Sequence, residues 1–161
     1  MFRWYQNADK CYVYLPDVSM LKEGTDLRLS PAIWEAAFRK SRWFSRGWTL
    51  QELIAPTSVE FFSCEGYRLG SKDSLEQQIH ARTGISISVL RGEPLEGFDI
   101  EERFSWARHR ETGRQEDEAY CLLGLFNVRM RLDYGEGKEE AFERLQKKIR
   151  KSTNGKSSKP K

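Results

Sequence analysis

Apolar positions in this chain come in short blocks whose spacing alternates between continuous and helical. Cys11-Tyr12-Val13-Tyr14-Leu15 is an unbroken β-prone run stopped by Pro16-Asp17, which predicts a buried strand. Ahead of it, Met1 to Ala8 reads as the end of a helix, with Phe2, Tyr5 and Trp4 as its inward candidates. Ser30-Pro31 opens a second helix, Ser as N-cap and Pro at the first helical position. Its apolar face is Ile33, Trp34, Ala37 and Phe38. A helical stretch over residues 41–56 follows, closed by Pro56. Ser58-Val59-Glu60-Phe61-Phe62-Ser63 then predicts a second strand.

Strand, helical connection and strand form a βαβ unit, whose two strands are normally parallel. Sites in such sheets tend to form beyond the carboxyl ends of the strands, here near Leu15–Asp17. From residue 70 the pattern is mostly helical. Asp73 and Glu76 have capping-box spacing, Leu75 and Ile79 lie one turn apart, and Thr83-Gly84 is a stop. Residues 91–99 read as a loop and Phe104–Trp106 as a short helix. Glu116–Met130 reads as a helix weakened at Gly124. Gly135-Glu136-Gly137 is a turn, and residues 138–150 form an amphipathic helix through Ala141, Phe142, Leu145 and Ile149. The expected fold is α/β, a small parallel sheet with flanking helices and a mostly helical C-terminal half.

Composition supports one globular domain of 161 residues, 39% hydrophobic and 12% aromatic. No apolar run approaches the roughly 20 residues of a membrane helix. Net charge is +3, yet seven of the 27 basic residues follow Arg144 with no acid among them. The body before them, 20 basic against 24 acidic, is net −4. Residues 1–150 are therefore read as the domain and 151–161 as a basic, disordered tail. An acidic body argues against a nucleic-acid-binding domain. Cys11, Cys64 and Cys121 are far apart, with no metal-ligand spacing among them or to His80 and His109. Reduced, mostly buried thiols and no metal site are expected.

The densest chemistry is Ser41-Arg42-Trp43-Phe44-Ser45-Arg46-Gly47-Trp48-Thr49-Leu50-Gln51-Glu52-Leu53-Ile54-Ala55-Pro56. At helical spacing Trp48 and Glu52 lie one turn apart, with Arg46 nearby on the first turn and Leu50, Leu53 and Ile54 as the packing stripe. A carboxylate beside an indole on a half-buried helix suits acid/base or charge-stabilising work; the competing reading is a surface ion pair. A second polar cluster, Arg114-x-Glu116-Asp117-Glu118, is read as helix N-terminal charge with local pairing, against a ligand contact.

The 41–56 wording closely resembles the signature of the fungal heterokaryon incompatibility (HET) domain. Cys11–Leu15 with Asp17-Val18, Leu69-Gly70-Ser71-Lys72, Thr83-Gly84-Ile85, Ser105-Trp106-Ala107, Glu116–Gly124 and Tyr134-Gly135-Glu136-Gly137 fit the same family in order. Gly113, Arg131 and Asp133 depart from its usual residues, which predicts weaker packing around the last helix. The family's upstream strand segment is missing here, so the chain resembles an N-terminally truncated copy.

The resemblance implies a cytoplasmic module of non-self recognition and programmed cell death, with a nucleotide-binding regulatory domain or partner and self-association. The family is distantly similar to TIR domains, some of which cleave NAD with a glutamate in a Trp-x-x-x-Glu context. On that analogy Glu52 is the catalytic residue and Arg46, Trp48 and Gln51 contact the nucleotide, NAD being substrate rather than cofactor. Trp48 would wall the pocket and Arg46 would meet a phosphate. The alternatives are a non-catalytic assembly module and an inactive copy.

Overall fold

The computed structural model describes residues 1–157. Two short strands, β1 (Cys11–Tyr14) and β2 (Val59–Phe62), pair in parallel with Cys11 opposite Val59 and Tyr14 opposite Phe62. A third strand, β3 (Arg68–Ser71), pairs antiparallel with β2, so the sheet is mixed, in the order β1-β2-β3. The expected parallel pair is present; the antiparallel strand is an addition to it, beginning before residue 70, where the helical pattern was expected to start. A tight turn suffices for it, because antiparallel neighbours need no crossover. Ser63 N–H donates to Tyr67 O at 2.8 Å across that turn, and Gly66 takes φ 83°.

β1 is an edge strand with only Val13 buried; Tyr12 and Tyr14 are exposed. The uniform apolar run therefore does not make a two-sided buried strand, since nothing among the described residues covers its tyrosine face.

The first helix, α1 (Phe2–Gln6), turns Phe2 and Tyr5 inward and leaves Trp4 in solvent. Next, α2 (Pro31–Lys40) begins at the predicted Ser-Pro. Ser30 supplies its carbonyl to Ile33 and Trp34 N–H but makes no side-chain cap. Trp34 and Phe38 are buried, Ile33 is not. A 3₁₀ turn over Arg42–Ser45 and then α3 (Thr49–Ile54) lead into β2. Phe61 collects the aromatic core: its ring meets Phe38 at 5.1 Å and Trp43 at 5.5 Å, both edge-on.

Beyond the sheet lie α4 (Glu76–Thr83) and α5 (Ile87–Leu90), then α6 (Ile100–Ser105), α7 (Asp117–Tyr120) and α8 (Lys138–Ser157). The Asp73/Glu76 capping box does not form. Ser71 and Ser74 satisfy each other's backbone N–H, and Glu76 instead pairs with Arg91 at 2.6 Å. Gly84 closes α4 at φ 72°, as the sequence predicts.

The predicted helix over 116–130 breaks into α7 and a 3₁₀ turn, Leu123–Phe126. The interruption falls at Cys121–Leu122, and Gly124 lies within the 3₁₀ turn, where a Cβ would sit 2.2 Å from Phe2 Cβ. α8 buries Ala141, Leu145 and Ile149 and continues through Ser157, past the predicted end at 150. Of the tail read as disordered, only 158–161 lie outside the described residues. Arg131 and Asp133 do not leave the last helix unanchored: Arg144 Nη2 donates to Arg131 O, and Tyr120 Oη bonds the backbone of Asp133.

Candidate functional site

The 41–56 segment is pinned at both ends. At its start, Asp17, just past β1, accepts from Ser41 Oγ at 2.7 Å and from Arg42 N–H at 2.8 Å. The carboxyl end of β1 and the start of this segment thus meet, as the βαβ pattern predicts.

Residues 45–47 then run alongside the 111 region. Glu111 N–H donates to Ser45 O, Gly47 N–H donates to Glu111 O at 2.8 Å, and Arg46 and Glu111 bridge in parallel. Arg46 is therefore extended (φ −88°, ψ 135°), not on a helical turn. This contact explains the glycine of the segment: a Cβ on Gly47 would lie 2.4 Å from Thr112 Cγ2 and 3.3 Å from Cys121 Sγ. Thr49 Oγ1 donates to Trp43 O and Arg46 O, and buried Arg110 Nη1 donates to Arg46 O at 3.0 Å and to Thr49 Oγ1 at 2.9 Å.

Helix α3 buries Leu50, Leu53 and Ile54 as predicted. Trp48 is its N-cap residue with helical torsions, so it stays one turn before Glu52. The two nonetheless serve different surroundings. Trp48 and Gln51 line an open cleft of about 1290 Å³, together with Arg3, Ile54, Lys72 and Arg91. Glu52 and Arg46 are not among its lining residues. Half-buried, Glu52 accepts a hydrogen bond from Tyr5 Oη at 3.2 Å. Arg46 is exposed beside Glu111. The four sequence candidates thus divide into a cleft pair, a Tyr5-bound carboxylate and an outlying arginine.

The cleft also lies at the opposite end of the sheet from the one expected. Its walls include Phe2, which precedes β1, and Pro56 and Thr57, which lead into the amino end of β2. Short strands place α1 there, and its packing against α3 and Gly124 encloses the space.

Electrostatics tie the two halves of this region together. Burial raises the Tyr5 phenol pKa, with the Glu52 charge and hydrogen bond adding to it. Burial likewise raises Cys11, with Glu52 adding and Lys72 opposing. Lys72, 2% exposed, donates from Nζ to Leu53 O at 3.1 Å and Pro56 O at 2.5 Å, closing the C-terminal carbonyls of α3. Its burial lowers its pKa.

Gln51, equally buried, donates from Nε2 to Cys121 O at 2.7 Å while its Oε1 has no partner. Sequence reasoning did not single out Tyr5, Lys72 or Arg110, each of which holds the signature segment from a distant part of the chain. Lys72 stood inside a quoted motif, but only the fold shows what its ammonium reaches.

The second polar cluster is a structural network. Glu116 Oε1 accepts from Gly135 N–H at 2.9 Å and Gly137 N–H at 3.2 Å. Tyr134 Oη donates to Asp117 at 2.7 Å under the Arg114 guanidinium, and Glu118 pairs with Lys138. These carboxylates fix the 134–138 turn, more than they complement the dipole of the one-turn helix α7. Of the cysteines only Cys121 is buried; Cys11 is intermediate and Cys64 exposed, against the expectation of mostly buried thiols. Among the described residues no helix is long and apolar enough to cross a membrane, and no cluster of three or more His, Cys, Asp or Glu could hold a metal.

Fold and site together define a small mixed α/β unit in which an aromatic-rich segment bounds an open cleft. In sequence the chain is 56% identical over 151 residues, 94% of its length, to the vegetative incompatibility protein HET-E-1 of Podospora anserina. It is thus related to part of a vegetative incompatibility protein, and it spans about 11% of that relative's length. No protein-family model matches the chain. No solved structure matches it either.

Proposed function

We propose that this chain acts in fungal vegetative incompatibility, as a cytoplasmic module that turns non-self recognition into programmed cell death. The observation that carries this reading is the 56% identity to HET-E-1, which runs through nearly the whole chain, the 41–56 segment included. A partner or attached domain that binds nucleotide would license the response, and self-association would propagate it.

The finer reading is hydrolysis of NAD. Water would add to the ribose C1′ as its bond to nicotinamide breaks, and a carboxylate facing the ribose would stabilise the positive charge that develops. In support, Glu52 is a half-buried carboxylate one turn from Trp48, and Gln51 beside it reaches the cleft. The second reading, a non-catalytic assembly module, draws on Glu52 being hydrogen-bonded to Tyr5 and lying outside the cleft lining.

Induced expression in a fungal host, scored by viability, tests the shared proposal; unaffected growth at high expression overturns it. NAD consumption by concentrated purified protein, with Glu52→Gln as control, separates the finer readings. Turnover that the variant loses supports hydrolysis. Killing by both forms without turnover supports assembly.

A further inference from the structure

Helix α8 has two parts. Up to Ile149 it is held to the body through Ala141, Leu145 and Ile149, all buried. Past Ile149 no large apolar residue follows, and every residue from 150 to 156 is exposed. This end is also uniformly basic: Lys147, Lys148, Arg150, Lys151 and Lys156 stand on it, and no acidic residue follows Arg144. Among the described residues none of these cations has an ion pair.

Within this end lies Arg150-Lys151-Ser152-Thr153, which sets an arginine three residues and a lysine two residues before a hydroxyl. Arginine-directed serine/threonine kinases read that spacing, because their acidic subsites pair with cations N-terminal to the hydroxyl while the substrate lies extended. The sequence offers four hydroxyls with an arginine three residues before them: Ser45, Thr49, Ser71 and Thr153. The fold separates them. Thr49 is 4% exposed, and its Oγ1 is engaged by Trp43 O, Arg46 O and Arg110. Ser71 sits in β3 opposite Glu60 and exchanges hydrogen bonds with Ser74. Ser45 closes its 3₁₀ turn, with Oγ on Arg42 O and its carbonyl on Glu111 N–H. Extending any of these three requires the signature segment or the sheet to open. Thr153 is exposed, and its Oγ1 donates to Ile149 O at 3.0 Å, the back-bond of a threonine to its own helix. Presenting it breaks only bonds in the last turns of α8, and helix ends open at little cost.

We propose that Thr153 is a phosphorylation site for an arginine-directed serine/threonine kinase, with Arg150 and Lys151 as its recognition residues. Thr153 Oγ1 attacks the γ-phosphorus of a nucleoside triphosphate held by the kinase. The Oγ1–P bond forms as the bond from that phosphorus to the β–γ bridging oxygen breaks. The hydroxyl proton passes to a carboxylate of the kinase, and the nucleoside diphosphate leaves. At helical spacing Arg150 and Lys156 flank the new phosphate at i−3 and i+3. The phosphate brings close to two negative charges, so the five positive charges of this end fall to about three. Phosphorylation thereby switches the charge of the exposed end of α8 without touching its buried half.

The full chain, incubated with magnesium ATP and the catalytic subunit of cyclic-AMP-dependent protein kinase and then mapped by peptide mass spectrometry, tests this. Phosphate is expected on Thr153 before Ser45, Thr49 or Ser71. Arg150→Gln is expected to slow incorporation at least about tenfold, as for loss of a charge-assisted hydrogen bond, with the melting temperature unchanged. Phosphate placed first on another hydroxyl, Ser152 included, overturns the proposal. So does an equal rate in Arg150→Gln, or no incorporation. Mapping of the chain expressed in a fungal host supplies the second arm. Thr153 phosphate that Arg150→Gln loses supports the assignment, and an unmodified Thr153 in the wild-type chain overturns it.

Discussion

Tyr5 and Glu52 meet through a 3.2 Å hydrogen bond that joins α1 to the signature helix and leaves the carboxylate accepting from a phenol. The pair makes Tyr5 a reporter for Glu52. Burial raises the phenol pKa first, and the Glu52 charge and hydrogen bond raise it further. Glu52→Gln is expected to bring the Tyr5 titration down towards the ordinary tyrosine value. A spectrophotometric tyrosinate titration, with Tyr5→Phe to assign the step, reads this directly. An unmoved step in Glu52→Gln would show that the carboxylate does not act on Tyr5 in solution.

Gly47→Ala places a methyl 2.4 Å from Thr112 Cγ2 and is expected to destabilise by about 1–3 kcal/mol, the usual cost of overpacking. Thr112→Ser removes that methyl and should recover most of the loss in the double variant. Urea midpoints for the four members of the cycle measure it. Additive losses would place the strain elsewhere.

Replacing Lys72 with Met keeps much of the buried stem and orphans Leu53 O and Pro56 O. The expected loss is about 1–3 kcal/mol, typical of buried acceptors left without a donor. Hydrogen exchange at the last turn of α3 should accelerate more than exchange in α8. Uniform acceleration across the chain would refute a local tie.

The acid limb of stability has a named contributor. Hydrogen bonds from the Gly135 and then the Gly137 backbone hold the Glu116 carboxyl below its ordinary value of 4.5. A carboxylate with a depressed folded-state pKa stabilises above its unfolded value, and the benefit disappears as pH falls through the folded value. Glu116→Gln should therefore lower the urea midpoint at neutral pH and flatten its decline below about pH 4.5. A variant curve parallel to wild type would contradict this.

At the alkaline end the sign reverses. Tyr134 is pushed up to about 12, first by its hydrogen bond to Asp117. Its contribution is complete below the ordinary tyrosine value near 10 and is lost as pH rises towards 12. In Asp117→Asn the Tyr134 step should move down, visible in the same tyrosinate titration. No movement would mean that Asp117 does not set it.

The elements legible in the sequence are those whose signals are local. Pro31 and Gly84 mark helix ends by their own backbone preferences, and Val59–Phe62 is strand-like wherever it lies. β3 was illegible because Arg68–Ser71 becomes a strand only by pairing with β2. That Gly124 has no room for a side chain likewise depends on Phe2, at the far end of the chain. Within the site, spacing placed Trp48 one turn before Glu52. Spacing has no means of showing that Tyr5 donates to the carboxylate, nor that Arg46 is extended beside Glu111. The buried Arg110, which ties Arg46 O to Thr49 Oγ1, left no sequence signal at all, since a buried cation and a surface one are spelled alike.

The pairing of Cys11 with Val59 also sets an order of events during synthesis. β1 emerges from the ribosome first, and its parallel partner follows only after α2 and α3 have been made. At common elongation rates that interval is about 2–10 s. Throughout it β1 lacks its β2 partner, and for roughly the first half Asp17 also lacks Ser41. The nascent chain therefore passes through a period in which its edge is open to other strands, and slower translation would lengthen that exposure.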